Sequence, residues 1–94
     1  MDIKILQQEV NRRWSDQVGN PCHLSDPTHA LVHLTKALGK VAAAINDAEH
    51  EDRSVRPDEV RKYLADLVIC AARVAPDVDL AAACADRLRE KFPS

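Results

Sequence analysis

The residues of this chain best suited to chemistry are His29, His33, Lys36 and Lys40, which recur at steps of three and four within one helical pattern. At about 100° per residue that spacing places them on a narrow stripe of a helix. Two ammonium groups and two imidazoles on one stripe can hold an anion, such as a phosphate, a nucleotide or an acidic side chain. They would hold it more tightly below about pH 6.5, where an ordinary imidazole gains its proton. Histidines four residues apart can also grip a transition metal from one helix face. Cys22 and His23 stand in the segment just before them. Thiolate and imidazole form a zinc donor set, so closure of a tetrahedral site by Cys22, His23, His29 and His33 is a second reading. Their spacing matches no specific zinc-finger pattern, and capping, surface or packing roles are the plainer reading of each. His50, in an acidic stretch, reads as solvated.

The element that positions the stripe is the long pattern over residues 29–45. Leu31, Leu34, Leu38, Val41 and Ile45 recur there on the other side of the wheel, a face expected to be buried, with the His and Lys stripe turned away from the core. Around it the chain reads as three further helices. Asp2 caps a first helix in which Leu6, Val10 and Trp14 step by four, ending near residue 17. A connection of about eight to ten residues containing Gly19 and Pro21 follows, and Asp26 with Pro27 opens the second helix, expected to reach Asn46. The polar residues 48–56 read as an exposed connection. Pro57, Asp58 and Glu59 start a third helix whose buried side is Val60, Leu64, Leu67, Val68, Ala71 and Val74, and Pro76 ends it. Asp79 caps a fourth, with Leu80, Cys84, Leu88 and Phe92 in register.

Composition limits the function classes. The 94 residues are 46% hydrophobic and 30% charged, with two glycines and 3% aromatics, which favours one all-helical domain of leucine, alanine and valine. So small a domain buries only ~60% of the surface its unfolded chain exposes, so a homo-oligomer is expected. Close approach of helices at the alanines of residues 42–44, 71–72 and 81–83 is the expected contact. A net charge of −2 gives no general pull toward nucleic acid, and the scattered Arg12, Arg13, Arg87, Arg89 and Lys91 interleave with acids. With three cysteines, no secretory leader and no apolar run near ~20 residues, a cytoplasmic protein with no membrane partner is expected. Cys70 and Cys84 read as small core residues. No phosphate-binding glycine loop, nucleophile elbow or cysteine–histidine motif appears.

Residues 33–45, HLTKALGKVAAAI, and 62–75, KYLADLVICAARVA, followed by PDVDLAAACADRLREKFP, resemble the MazG-like, all-α NTP pyrophosphohydrolase superfamily, which includes dimeric dUTPases. In that family a helix reading L-x-E-E-x-G-E-[LV]-x-x-A-[IL] is followed by one with E-x-x-D-[VL]-[LI]. The resemblance covers most of the chain through its apolar frame, Gly39 and the order of segments. It implies a four-helix MazG-like bundle over residues 1–94 that assembles as a dimer or larger oligomer. The family's acids hold magnesium on triphosphate oxygens, where the ion polarises the α-phosphate and helps generate the attacking water.

Here the matching positions carry Lys36, Ala37, Lys40 and Tyr63, and only Asp66 remains acidic. An ammonium beside a divalent cation repels it, and one aspartate is a poor magnesium ligand set. The resemblance therefore implies a homologue leaning away from catalysis, a binding or structural subunit without a cofactor. Its candidate ligand residues are His33, Lys36, Lys40, Tyr63 and Asp66, with Lys36 or Lys40 placed to pair with Asp66. The alternative is an active, magnesium-dependent pyrophosphohydrolase that keeps Asp66 as a metal ligand and rebuilds the rest from Asp47, Glu49, Glu51, Asp52, Asp58 and Glu59. A zinc-stabilised interaction module built on Cys22, His23, His29 and His33 is the second alternative.

Overall fold

A computed structural model describes residues 2–15, 27–74 and 76–93. Among them are four helices and no strand: α1 Ile3–Ser15, α2 Pro27–His50, α3 Pro57–Val74 and α4 Leu80–Lys91. No helix among the described residues is long and apolar enough to cross a membrane. The expected loop at residues 16–26, with Cys22, His23 and the Asp26 cap, lies outside the described residues.

The helix starts follow from their caps. The Asp2 carboxylate accepts from the Ile5 backbone N–H at 2.8 Å, and Asp79 accepts from Ala82 N–H at 3.1 Å. Each satisfies one of the donors that a helix N-terminus leaves unpaired. Pro27 and Pro57 stand at first helical positions, where a missing N–H costs nothing.

The largest difference from the sequence expectation comes at the end of α2. Its helix runs four residues past Asn46, to His50, and the polar stretch beyond is a structured clamp. Asp52 takes a left-handed φ of 53°, and Arg53 N–H returns to Ala48 C=O at 3.1 Å, closing the helix as left-handed C-terminal turns do. Arg53 then donates to Glu51 at 2.6 Å and to Glu59 of α3 at 2.8 Å, so the turn is tied to the next helix. This short connection reverses the chain, and α2 and α3 pack as an antiparallel hairpin.

The hairpin packs on alanine. Ala30, Ala37 and Ala48 of α2 are buried, with Val60, Cys70 and Ala72 on α3. The apolar faces expected inside are only partly so: Leu34 and Val41 of α2 and Leu67, Ala71 and Val74 of α3 are half-buried, but Leu31 is 53%, Leu38 54% and Ile45 41% exposed, and Leu64 and Val68 of α3 are 47% and 44% exposed. The reason is angular. At 100° per residue Ala30, Ala37 and Ala48 form an arc of their own, displaced by roughly 60–100° from Leu31, Leu38 and Ile45. Small residues permit the closer helix–helix approach, and that contact faces α3.

Helix α1 lies across α3, where Arg73, 9% exposed, sits 4.7 Å from the Trp14 ring centroid. Helix α4 meets the rest chiefly through α1. There the side-chain amide of the buried Gln7 bridges the two: its Nε2 donates to Val78 C=O and its Oε1 accepts from Leu80 N–H at 3.1 Å. Asn11 Nδ2 adds a bond to Pro76 C=O at 3.2 Å. With so little against it, α4 leaves Cys84 exposed, contrary to its core reading, and Leu88 and Phe92 are 60% and 73% exposed. Cys70 is buried as expected.

Candidate functional site

The His and Lys stripe of α2 is turned away from the core as expected, with His33, Lys36 and Lys40 exposed. These three form one wall of an open cavity of about 290 Å³ between α2 and α3. His33, Lys36 and Lys40 come from α2, Tyr63 and Asp66 from α3, so all five candidate ligand residues line one space. The helical period explains this: His33, Lys36 and Lys40 lie on the flank of the alanine arc opposite to the leucines, and the arc itself is pressed against α3. Ala37 is the floor on the α2 side, and Cys70 lies deepest on the α3 side.

Lys62 is a lining residue that the sequence reading passed over. Its signal was present: Lys62, Asp66 and Cys70 are spaced by four, one stripe on α3. The cavity therefore carries three lysines against one aspartate. Among the described residues no ion pair joins Lys36 or Lys40 to Asp66. Lys40 instead places its ammonium 5.6 Å from the centroid of the Tyr63 ring, within the reach of a cation–π contact.

The electrostatics of the lining are specific. Partial desolvation, then the neighbouring His29, Lys36 and Arg73, hold the His33 pKa below its ordinary value, against a smaller opposing pull from Asp66. The anion site therefore gains its extra proton at a lower pH than the unperturbed imidazole would allow. Burial pushes the Cys70 thiol up, opposed by Arg73, which keeps it protonated and a poor nucleophile at neutral pH.

His29 and His33 meet through their Nε2 atoms at 2.9 Å, with ring centroids 4.5 Å apart. Neutral rings satisfy that contact as donor and acceptor. The other two residues of the zinc reading, Cys22 and His23, lie outside the described residues. Among the described residues no group of three His, Cys, Asp or Glu side chains converges as a metal site. Of the acids proposed for a rebuilt magnesium site, Glu51 and Glu59 are engaged by Arg53, and Glu59 also by Arg56 at 2.9 Å. A Cβ added at Gly39 would meet no atom within 4 Å.

Compared with known proteins, the chain matches no family model, no curated protein and no solved structure.

Proposed function

We propose that the chain is a MazG-like helical subunit without pyrophosphohydrolase activity, which self-associates and holds an anion, such as a phosphate or nucleotide, in the α2–α3 cavity. The observation that carries the reading is the lining itself: Lys36, Lys40 and Lys62 share one cavity with a single aspartate. Where the resembled family places carboxylates for magnesium, Lys36 and Lys40 place ammonium groups, and Lys62 adds a third beside them. A cluster of cations beside a divalent ion raises its free energy, whereas the same cluster lowers that of a phosphate oxygen. Tyr63 adds an aromatic wall, and Asp66 competes with the ligand for the lysines. The floor is Ala37, which supplies no metal ligand.

The test is a titration with inorganic phosphate and with a nucleoside triphosphate, followed by backbone amide NMR, beside a pyrophosphate-release assay with magnesium or manganese. Shifts are expected at the cavity residues, weakening with salt as the lysines are screened. Lys36→Ala with Lys40→Ala should reduce affinity roughly tenfold or more, since a hydrogen bond to a charged group contributes about 1.5–3 kcal/mol. No pyrophosphate release is expected. Metal-dependent turnover lost in Asp66→Ala would overturn the non-catalytic reading, and shifts unchanged in the double alanine variant would overturn the anion site.

A further inference from the structure

The α2–α3 hairpin has two unlike faces. One is the lysine-lined cavity; the other carries Leu31, Leu38 and Ile45 from α2 with Leu64 and Val68 from α3, all between 41% and 54% exposed. Because the cavity occupies the same flank of both helices, the helical period puts these five on the opposite flank of both, as one contiguous apolar surface. We infer that this surface is the contact between two copies of the chain, which join face to face so that two hairpins make one four-helix bundle with a cavity on each outer side. This inference rests on the self-association in the proposed function and names its surface, in place of the alanine patches expected from the sequence.

Four observations select a second copy as the occupant. First, the core of one copy is unfinished: among the described residues no large side chain is more than 98% buried, and the buried apolar set is mostly alanine. The radius of gyration is 15.7 Å, against roughly 12 Å for a compact chain of this length. Second, Leu31, Leu34, Leu38, Val41 and Ile45 alternate steps of three and four over two heptads, the spacing with which a helix packs on another like itself. Third, the margin of that seam along the middle of α2 is Thr35 and Ala42, and the two charged residues that the helical period places on it, Glu49 of α2 and Arg61 of α3, are exposed and of opposite sign, so a second copy meets no cluster of like charge there. Fourth, the area suffices. A helix of 24 residues is about 36 Å long, and a hairpin about 20 Å wide then offers roughly 700 Å² per copy, within the range of specific interfaces.

The experiment is sedimentation equilibrium of the full chain from 1 to 200 μM, with intermolecular NOEs recorded on a mixture of isotope-labelled and unlabelled protein. The expected mass is twice 10.4 kDa, with NOEs among the methyl groups of Leu31, Leu38, Ile45, Leu64 and Val68. Leu38→Glu, at a site half exposed in the single copy, should keep its helical circular dichroism and weaken association roughly 100-fold, because the dimer would bury two unpaired carboxylates. Leu88→Ser, on α4, should leave association unchanged. A single-chain mass across the range, as follows if another protein or another part of this chain covers the face, overturns the inference. So does a dimer whose NOEs lie on α4 or whose mass is indifferent to Leu38→Glu. The NOE map decides the matter if Leu38→Glu fails to fold. Phosphate titration reports on the opposite face, so loss of anion binding with the dimer intact counts against the cavity alone.

Discussion

At the scale of single residues, His33 is the group whose chemistry the structure changes most. Its sequence position suggests an ordinary imidazole that charges below about pH 6.5. Partial desolvation first, and then the neighbouring His29, Lys36 and Arg73, disfavour the proton there, against a smaller pull from Asp66. The folded pKa is thus lower than the unfolded one, and between the two values the unfolded chain binds more protons. Stability is therefore expected to fall as pH drops through the ordinary imidazole value, and to level off below the folded one. A proton NMR titration of the His33 ring should give a midpoint below 6.5. His29→Ala should raise that midpoint, since it removes a neighbouring charge. An unchanged midpoint would mean that the 2.9 Å contact between the rings does not persist in solution. Phosphate affinity should follow the same shifted midpoint, because only the imidazolium adds to the three lysines. The cavity residues themselves were legible in part. His33, Lys36 and Lys40 stand out by spacing, whereas Tyr63 and Asp66 come from the resemblance, and Lys62 was hidden because a lysine on a charged helix reads as solvated surface.

At the scale of elements, the helices were legible from local chemistry and their mutual orientation was not. Asp2, Asp79, Pro27 and Pro57 announce helix starts because capping needs only the residues in the first turn. Which face of α2 turns inward depends on α3. There the hydrophobic pattern misleads, since it marks the leucines as most in need of burial and is silent on whether this chain or another supplies the cover. The alanines at 30, 37 and 48 win the contact by size. The C-terminal clamp of α2 was missed for a related reason: Arg53 earns its place only once Glu59 has been brought beside it. The docking of α4 follows the same logic. It hangs largely on one side chain, Gln7, which is 7% exposed and satisfies both Val78 C=O and Leu80 N–H. Gln7→Ala removes both partners at once, and the expected loss is about 1–3 kcal/mol in denaturant titration. The effect should be local, with faster amide hydrogen exchange in α4 and unchanged exchange in the α2–α3 hairpin. Equal acceleration in all four helices would mean that α4 is integral to the core and not an appendage of α1.

At the scale of the whole molecule, the distribution of apolar surface ties the fold to its assembly. One copy buries alanine, valine and cysteine, and leaves leucine and isoleucine half exposed. Apolar burial contributes about 25 cal/mol per Å², so the single copy forgoes the stabilisation its largest aliphatic side chains could give. That missing contribution returns only on association, and it makes stability depend on concentration. For a dimer that unfolds to two free chains, each tenfold rise in concentration adds about 1.4 kcal/mol per dimer to the folded side. An assembly of two such chains shifts its melting midpoint by about 2–4 °C per kcal/mol. The expected outcome is a Tm that climbs by roughly 3–5 °C for each tenfold rise in protein concentration, measured by circular dichroism between about 2 and 200 μM. Leu38→Glu should lower Tm and flatten its dependence on concentration, because the single copy then carries the whole stability. The lysine cavity faces away from this contact, so saturating phosphate should raise Tm in both proteins by a similar amount, set by ligand concentration relative to its dissociation constant. A Tm flat across a hundredfold range, together with a high value at the dilute end, would show that one copy is already complete. In that case the exposed leucines would be surface that the fold tolerates, and the alanine-packed hairpin would be the whole of its core.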